Sequence, residues 1–402
     1  MHIAGRFLAA LALTLLAGSA NAAITLKTED GWSLTVGGFV NGFVVSESGD
    51  AAPAGHADLY SRGTKDSTFR IRTGLLPGLI GFTMAAPEVD GIKTAARVGF
   101  WPQINSQTGN RTTINGANID LRELNLTFEG KFGQVLIGRA LALYQGKNIL
   151  TDMTLFGVGQ SGGFSNGPTL GHIGIGYLYP SFVSQVRYTT PSFSGVKLAV
   201  AAVDPADPTG AAFNGGTPGA VLESPSAEAE LSFAGKSGTV SYQAFASGLY
   251  QSSKIIAAPS RTVTSVGGAG GVGVGFAGLD LLASGFIGSA VGTDGVINSG
   301  NTLDSVNKER TTSGFLGQAT YTIGKTKLGV NYGRTDVKKT DQDKIDNAPG
   351  LLDNRQAITG AIWYDLVPSV KLVAEYTHLD IEWADATKQG SDTVAVGGFI
   401  FF

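Results

Sequence analysis

The chain has 402 residues, with 29 lysines and arginines against 32 aspartates and glutamates, and only 15% of residues are charged. A formal charge of −3 leaves no basic footprint for nucleic acid, and the absence of cysteine rules out a disulfide framework or a thiolate metal site. With 43% hydrophobic residues the chain is too apolar for a disordered segment, so its stability must come from backbone pairing or a large core.

The N-terminus reads as an export signal. Arg6 supplies the positive charge, Phe7 to Ala17 is a short apolar run, and Ala20-Asn21-Ala22 is a small-residue cleavage site. The run is shorter than the roughly 20 residues a membrane helix needs. Residues 1–22 are therefore expected to be a cleaved secretory signal peptide, and 23–402 a single domain exported through the Sec pathway.

From residue 31 onward the chain alternates with a period of two and carries almost no helical stripe. Trp32, Leu34, Val36, Gly38, Val40 and Gly42 form one set, and Ser33, Thr35, Gly37, Phe39 and Asn41 the other. Similar ribbons predict about 16 strands. They lie at 31–45, 67–85, 91–101, 119–129, 133–141, 183–190, 195–203, 226–234, 238–250, 261–277, 279–291, 311–323, 326–336, 354–365, 369–383 and 391–402. Pro77-Gly78 interrupts the second. Short turns such as Gly130-Lys131-Phe132-Gly133 and Gly235-Lys236-Ser237 alternate with long polar loops near 46–66, 102–118, 142–182, 204–225, 292–310 and 337–353. Phe128, Phe132, Tyr188, Phe193, Phe233, Tyr321 and Tyr364 cluster beside the short turns. Unequal loops and an aromatic girdle are the marks of an all-β transmembrane antiparallel barrel, apolar outside and polar within.

At the C-terminus Val394, Val396, Gly398, Ile400 and Phe402 share one face, and this strand is expected to close the cylinder against the first one. Closure pairs every edge group, which lipid cannot do. The terminal aromatic resembles the signal read by the outer-membrane barrel-assembly machinery.

Three segments carry a family resemblance: Leu121 to Arg139, Val186 to Val200, and Ile358 to Tyr376 with the terminal Phe402. They resemble the general, trimeric, 16-stranded porins of the Gram-negative outer membrane, including the DcaP-like branch that takes anionic substrates. The resemblance implies a homotrimer embedded in outer-membrane lipid. It also implies a third loop folded into the barrel, and passive diffusion of small hydrophilic solutes. In that family the third loop carries several acids, whereas Leu141 to Phe182 offers only Asp152, beside Lys147 and His172.

Strand parity puts Arg70, Arg72, Lys93, Arg97, Arg187 and Lys197 on the polar face, since arginine at the lipid midplane costs about 2–4 kcal/mol. Alternation groups Arg139 with Val135 and Ile137 toward lipid, while the resemblance places it in the pore opposite Asp152. Together with Lys147 these residues are the pore-lining candidates, and a cationic wall implies a mild anion preference. A substrate-selective channel for small carboxylates is the alternative, and a non-transport barrel a second one.

An enzyme reading finds little to build on. His56, His172 and His378 have no zinc or triad spacing. The glycine motifs at Gly268 to Gly273 and Gly273 to Gly278 lie in a strand ribbon, and Gly235-Lys236-Ser237 lacks the upstream glycine of a phosphate loop. Asp341-Gln342-Asp343 has nothing to complete a calcium site. No cofactor, metal or catalytic residue is expected.

Overall fold

The computed structural model describes residues 23–56, 66–105, 119–162, 167–210, 219–293, 297, 302–347 and 350–402. The expected signal segment 1–22 lies outside the described residues. Among those described, no helix is long and apolar enough to cross a membrane. The crossing elements are strands.

They are β1 (Ile24–Lys27), β2 (Ser33–Gly49), β3 (Asp66–Arg72), β4 (Leu79–Ala85), β5 (Lys93–Pro102), β6 (Ile119–Gly130) and β7 (Gly133–Leu141). Next come β8 (Phe182–Thr189), β9 (Val196–Val203), β10 (Ala220–Val221), β11 (Ser226–Ser237), β12 (Val240–Ile255) and β13 (Thr262–Phe276). The last are β14 (Leu279–Ser289), β15 (Thr311–Ile323), β16 (Thr326–Lys338), β17 (Leu352–Val367), β18 (Val370–Trp383) and β19 (Lys388–Phe401). All pairings between them are antiparallel, and each long strand meets its sequence neighbour.

The sheet closes where β19 pairs with β2, from Phe401 opposite Phe39 to Ser391 opposite Gly49. Phe402 exchanges two backbone hydrogen bonds with Gly38, at 2.7 and 3.0 Å. Beyond it β1 takes over the same edge of β2, Ile24 facing Val36. β3 and β4 occupy one wall position, because both pair with β2 at different heights. With β1 and β10 as short additions, the closed barrel has sixteen strand positions, as expected.

The alternation sorts cleanly by face. On β18, Leu372, Ala374 and Tyr376 are exposed, while Val373, Glu375, Thr377 and Leu379 are buried. The outward terminal residues Val394, Val396, Ile400 and Phe402 are exposed likewise. Outward apolar side chains in a closed wall suit hydrocarbon. Aromatics ring one end (Phe132, Tyr188, Phe276, Tyr321, Tyr364), and Tyr250, Phe315, Tyr332 and Tyr376 stand nearer the other. Both glycine motifs run along β13 and its turn, with no helix following.

Two departures from the sequence reading matter. The segment 67–85 is two strands, because the chain leaves the wall between Arg72 and Leu79. And the inner face is not uniformly polar. Phe39, Phe43, Trp101, Trp363, Phe399 and Phe401 all point inward and are buried in one cluster with Met153 and Val158. Phe39 meets Phe399 at 5.8 Å and Trp101 edge-on at 6.2 Å between ring centroids.

At the long-loop end, Asp343 takes a bidentate pair from Arg310, at 3.0 and 2.6 Å, and caps Thr340 N–H at 2.9 Å. Burial would raise the Asp343 carboxyl, but the bonds from Arg310 and Thr340 outweigh it and hold the group below its usual value. A carboxylate depressed in the folded state contributes stability above its unfolded value, near about 3.9, and loses it as pH falls through the folded one. Pepsin, normalised against a peptide substrate, is expected to spare 339–346 at about pH 4.5 and cut it near about pH 2. Equal cleavage at both would remove this tie from the loop's stability.

Candidate functional site: the inward loop and the wall beneath it

The segment between β7 and β8 crosses the barrel interior. It begins with a short helix, Gly146–Thr151, and a 3-10 turn, Met153–Phe156. Its anchors are inner-wall side chains of β2, β11, β12 and β15 to β18, strands three or more wall positions from β7. Glu228 accepts the amides of Leu143 and Tyr144 at 2.8 and 2.9 Å, and Ser247 accepts that of Gln145 at 3.1 Å. Gln318 bridges Met153 N–H and Thr151 C=O, at 2.9 and 2.8 Å. Glu375 accepts Val158 and Gly159 N–H on one oxygen, at 2.5 and 3.0 Å. Ser161 donates to Glu47. On the return, His172 Nε2 meets Thr359 Oγ1 at 3.0 Å, and Gly176 N–H donates to Thr335 Oγ1 at 2.8 Å.

Wall glycines make this docking sterically open. A Cβ at Gly267 would lie 2.2 Å from the Tyr144 hydroxyl, and one at Gly329 3.0 Å from Met153 Sδ. Apolar loop residues meet the inward aromatic cluster, where Trp363 donates to Phe156 C=O at 2.9 Å. This accounts for a loop poor in acids: it is held by apolar burial and by wall carboxylates capping its amides.

Asp152 is not a channel-facing acid. It is 3% exposed, and its carboxylate accepts from Tyr177 Oη (2.7 Å), Thr154 N–H (2.9 Å), His172 N–H (3.3 Å) and Asn331 Nδ2 (3.3 Å). It is the joint of the loop. Burial lowers the pKa of the adjacent His172 ring. Arg72 is likewise enclosed, with 0% exposure, and donates to Gly167 C=O at 2.6 Å. Arg70 sits half-buried on the same strand.

Other cations have inward parity. Arg97 holds Glu123 through two bonds of 2.9 Å, and Lys93 faces Glu129 in register. Lys147 Nζ stands 3.9 Å from Glu230. Arg187 shares a row with Ala201 and Glu228, and Lys197 lies opposite Ser232. Lys147 lies within electrostatic range of both Arg187 and Lys197. Arg139 is exposed and pairs in register with Leu124 and Ser184, both exposed, the outward parity of simple alternation. It does not meet Asp152.

The anchors Glu47, Glu228 and Glu375 were not singled out from sequence. Their signal was available: each is an acid on the inner parity of its strand, Glu228 beside Glu230 and Glu375 four residues after Lys371.

The model of the Gram-negative porin family matches residues 8–382. A search of curated protein sequences finds no match. Solved structures with the same fold include the outer-membrane channel DcaP of Acinetobacter baumannii, at 17% identity and a TM-score of 0.69, covering 94% of this chain and 99% of that one. The anion-selective porin from Comamonas acidovorans is similar at 14% identity and a TM-score of 0.61, covering 92% and 100%. The trimer form of OmpT from Vibrio cholerae is similar at 14% and 0.54, covering 93% and 100%. A closed sixteen-position barrel with lipid-suited outer residues, an inward loop and a family match over most of its length make this chain a member of the Gram-negative porin family, an outer-membrane channel rather than an enzyme.

Proposed function

We propose that the chain, after Sec export and loss of residues 1–22, works as a homotrimer that lets small hydrophilic solutes diffuse passively with a mild anion preference. The observation that carries the sign is the fate of the wall acids. Glu47, Glu228 and Glu375 are buried beneath the loop and spent on its donors, while Lys93, Lys147, Arg187 and Lys197 keep inward positions. A solute passing the loop therefore meets more cationic than anionic surface, and the pairing of Arg97 with Glu123 and of Lys147 with Glu230 keeps the preference modest. The assembly reading draws on OmpT, whose solved structure includes a trimer form. The sign agrees with the anion-selective porin of the same fold.

Planar-bilayer recording tests this. Reversal potentials in a salt gradient should indicate anions, currents should step in threes, and Arg187→Ala should lower the anion-to-cation permeability ratio by about two-fold. Cation selectivity in the wild type would end the proposal. The grouping of Lys147, Arg187 and Lys197 also favours a narrower reading, a binding station for small carboxylates. That reading requires saturable block of current by such a ligand, and non-saturating flux would dismiss it.

A further inference from the structure

Between β3 and β4 the second wall strand leaves the sheet, and Thr73–Gly78 turns into the barrel. Every residue from Thr73 to Gly78 is buried except the half-buried Leu76. The excursion lies between the two arms of the inward loop. Leu75 N–H donates to Gly157 C=O on the outgoing arm at 2.9 Å, and Thr169 N–H on the returning arm donates to Gly74 C=O at 3.1 Å. Leu75 shares an apolar cluster with Ile149, Leu155, Ile173 and Tyr177 of the loop. The contact is backbone against backbone. A Cβ at Gly74 would lie 2.2 Å from Gly157 O, and one at Gly171 2.6 Å from Leu75 Cδ2.

Side chains hold the excursion where the ladder is interrupted. Asn41 of β2 accepts Gly74 N–H at 2.9 Å and donates to Leu76 C=O at 2.9 Å, as a neighbouring backbone would. Asn105, just past β5, accepts Thr73 N–H at 2.8 Å and donates to Gly167 C=O at 2.5 Å. A break in a wall strand leaves polar backbone groups to be satisfied. Here they are satisfied by side chains and by the loop itself, so loop and break position one another.

We propose that Thr73–Gly78 is a strut that fixes where the loop narrows the channel, with Asn41 as its positioning residue. The proposal rests on the channel reading above, but it concerns geometry and is indifferent to the sign of selectivity. Two hydrogen bonds from Asn41 correspond to about a thirty-fold change in the ratio of seated to unseated strut.

The test is single-channel recording of the purified full-length protein, with heat-modifiable gel migration as the measure of barrel integrity. Asn41→Ala and Gly74→Ala should keep the folded migration yet add frequent excursions to other conductance levels. Asn41→Asp, which keeps the acceptor for Gly74 N–H, should fall between them and wild type. Ser391→Ala, at a buried inner-wall position away from the strut, should match wild type. A conducting wild type with Asn41→Ala and Gly74→Ala traces identical to it would overturn the strut. Loss of folded migration in both variants would also overturn it, placing the segment in the wall's stability instead. A wild type that forms no channel would count against the channel reading itself.

Discussion

Replacing Glu375 with alanine is expected to leave the barrel folded but to release the inward loop. Glu375 is 5% exposed, and one of its oxygens takes both Val158 and Gly159 N–H. The fit depends on a missing side chain, since a Cβ at Gly157 would stand 1.9 Å from the other carboxylate oxygen. Charge-assisted bonds contribute about 1.5–3 kcal/mol each, so losing both weakens docking by about 3–6 kcal/mol, more than a hundred-fold in the docked ratio. Glutamine keeps an acceptor of the same reach and should retain most of the docking. In bilayer recordings the expected order of closing events is alanine far above glutamine, and glutamine slightly above wild type. Alanine traces indistinguishable from wild type, in protein that still migrates as a folded barrel, would show that this contact does not hold the loop.

The second large effect concerns the outer wall. Val396 is 57% exposed on β19 and sits near mid-height, between Val394 and Gly398. Val396→Arg should destabilise the folded barrel by about 2–4 kcal/mol, because its charge must be solvated within hydrocarbon. Gln243→Arg, at an exposed position of inner parity on β12, should cost little, since a guanidinium there meets water. Urea unfolding in lipid vesicles, followed by tryptophan fluorescence, separates the two. A larger cost at Gln243 than at Val396 would mean the faces are assigned the wrong way round, and similar costs that the two faces do not differ as lipid and water do.

The strand pattern was legible because one face is apolar and the other polar over most of the wall, and a two-residue period records that contrast directly. It failed where the contrast vanishes. Near the C-terminus both faces are apolar: alternation separates Val394, Val396, Ile400 and Phe402 from Phe399 and Phe401, but nothing local says that the latter two pack in an apolar cluster inside the barrel. The Pro77-Gly78 interruption was visible, but nothing local says that the chain turns inward there, because that depends on Asn41 and on loop backbone more than 80 residues away. Arg72 and Asp152 illustrate a third kind of loss. Residue type and parity point such groups toward water, and only tertiary contacts with Gly167 and Tyr177 reveal that they are enclosed.

The aromatic cluster has a bearing on how the molecule matures. Phe156 of the loop packs on Phe399, Phe401 and Phe39, at centroid distances of 5.6, 6.1 and 6.5 Å, and those three rings belong to the two strands that meet last in sequence and first. Until those strands join, the loop lacks the aromatic part of its seat. The narrowing is therefore fully seated only as the wall is completed, and an unfinished intermediate would hold the loop by its wall hydrogen bonds alone.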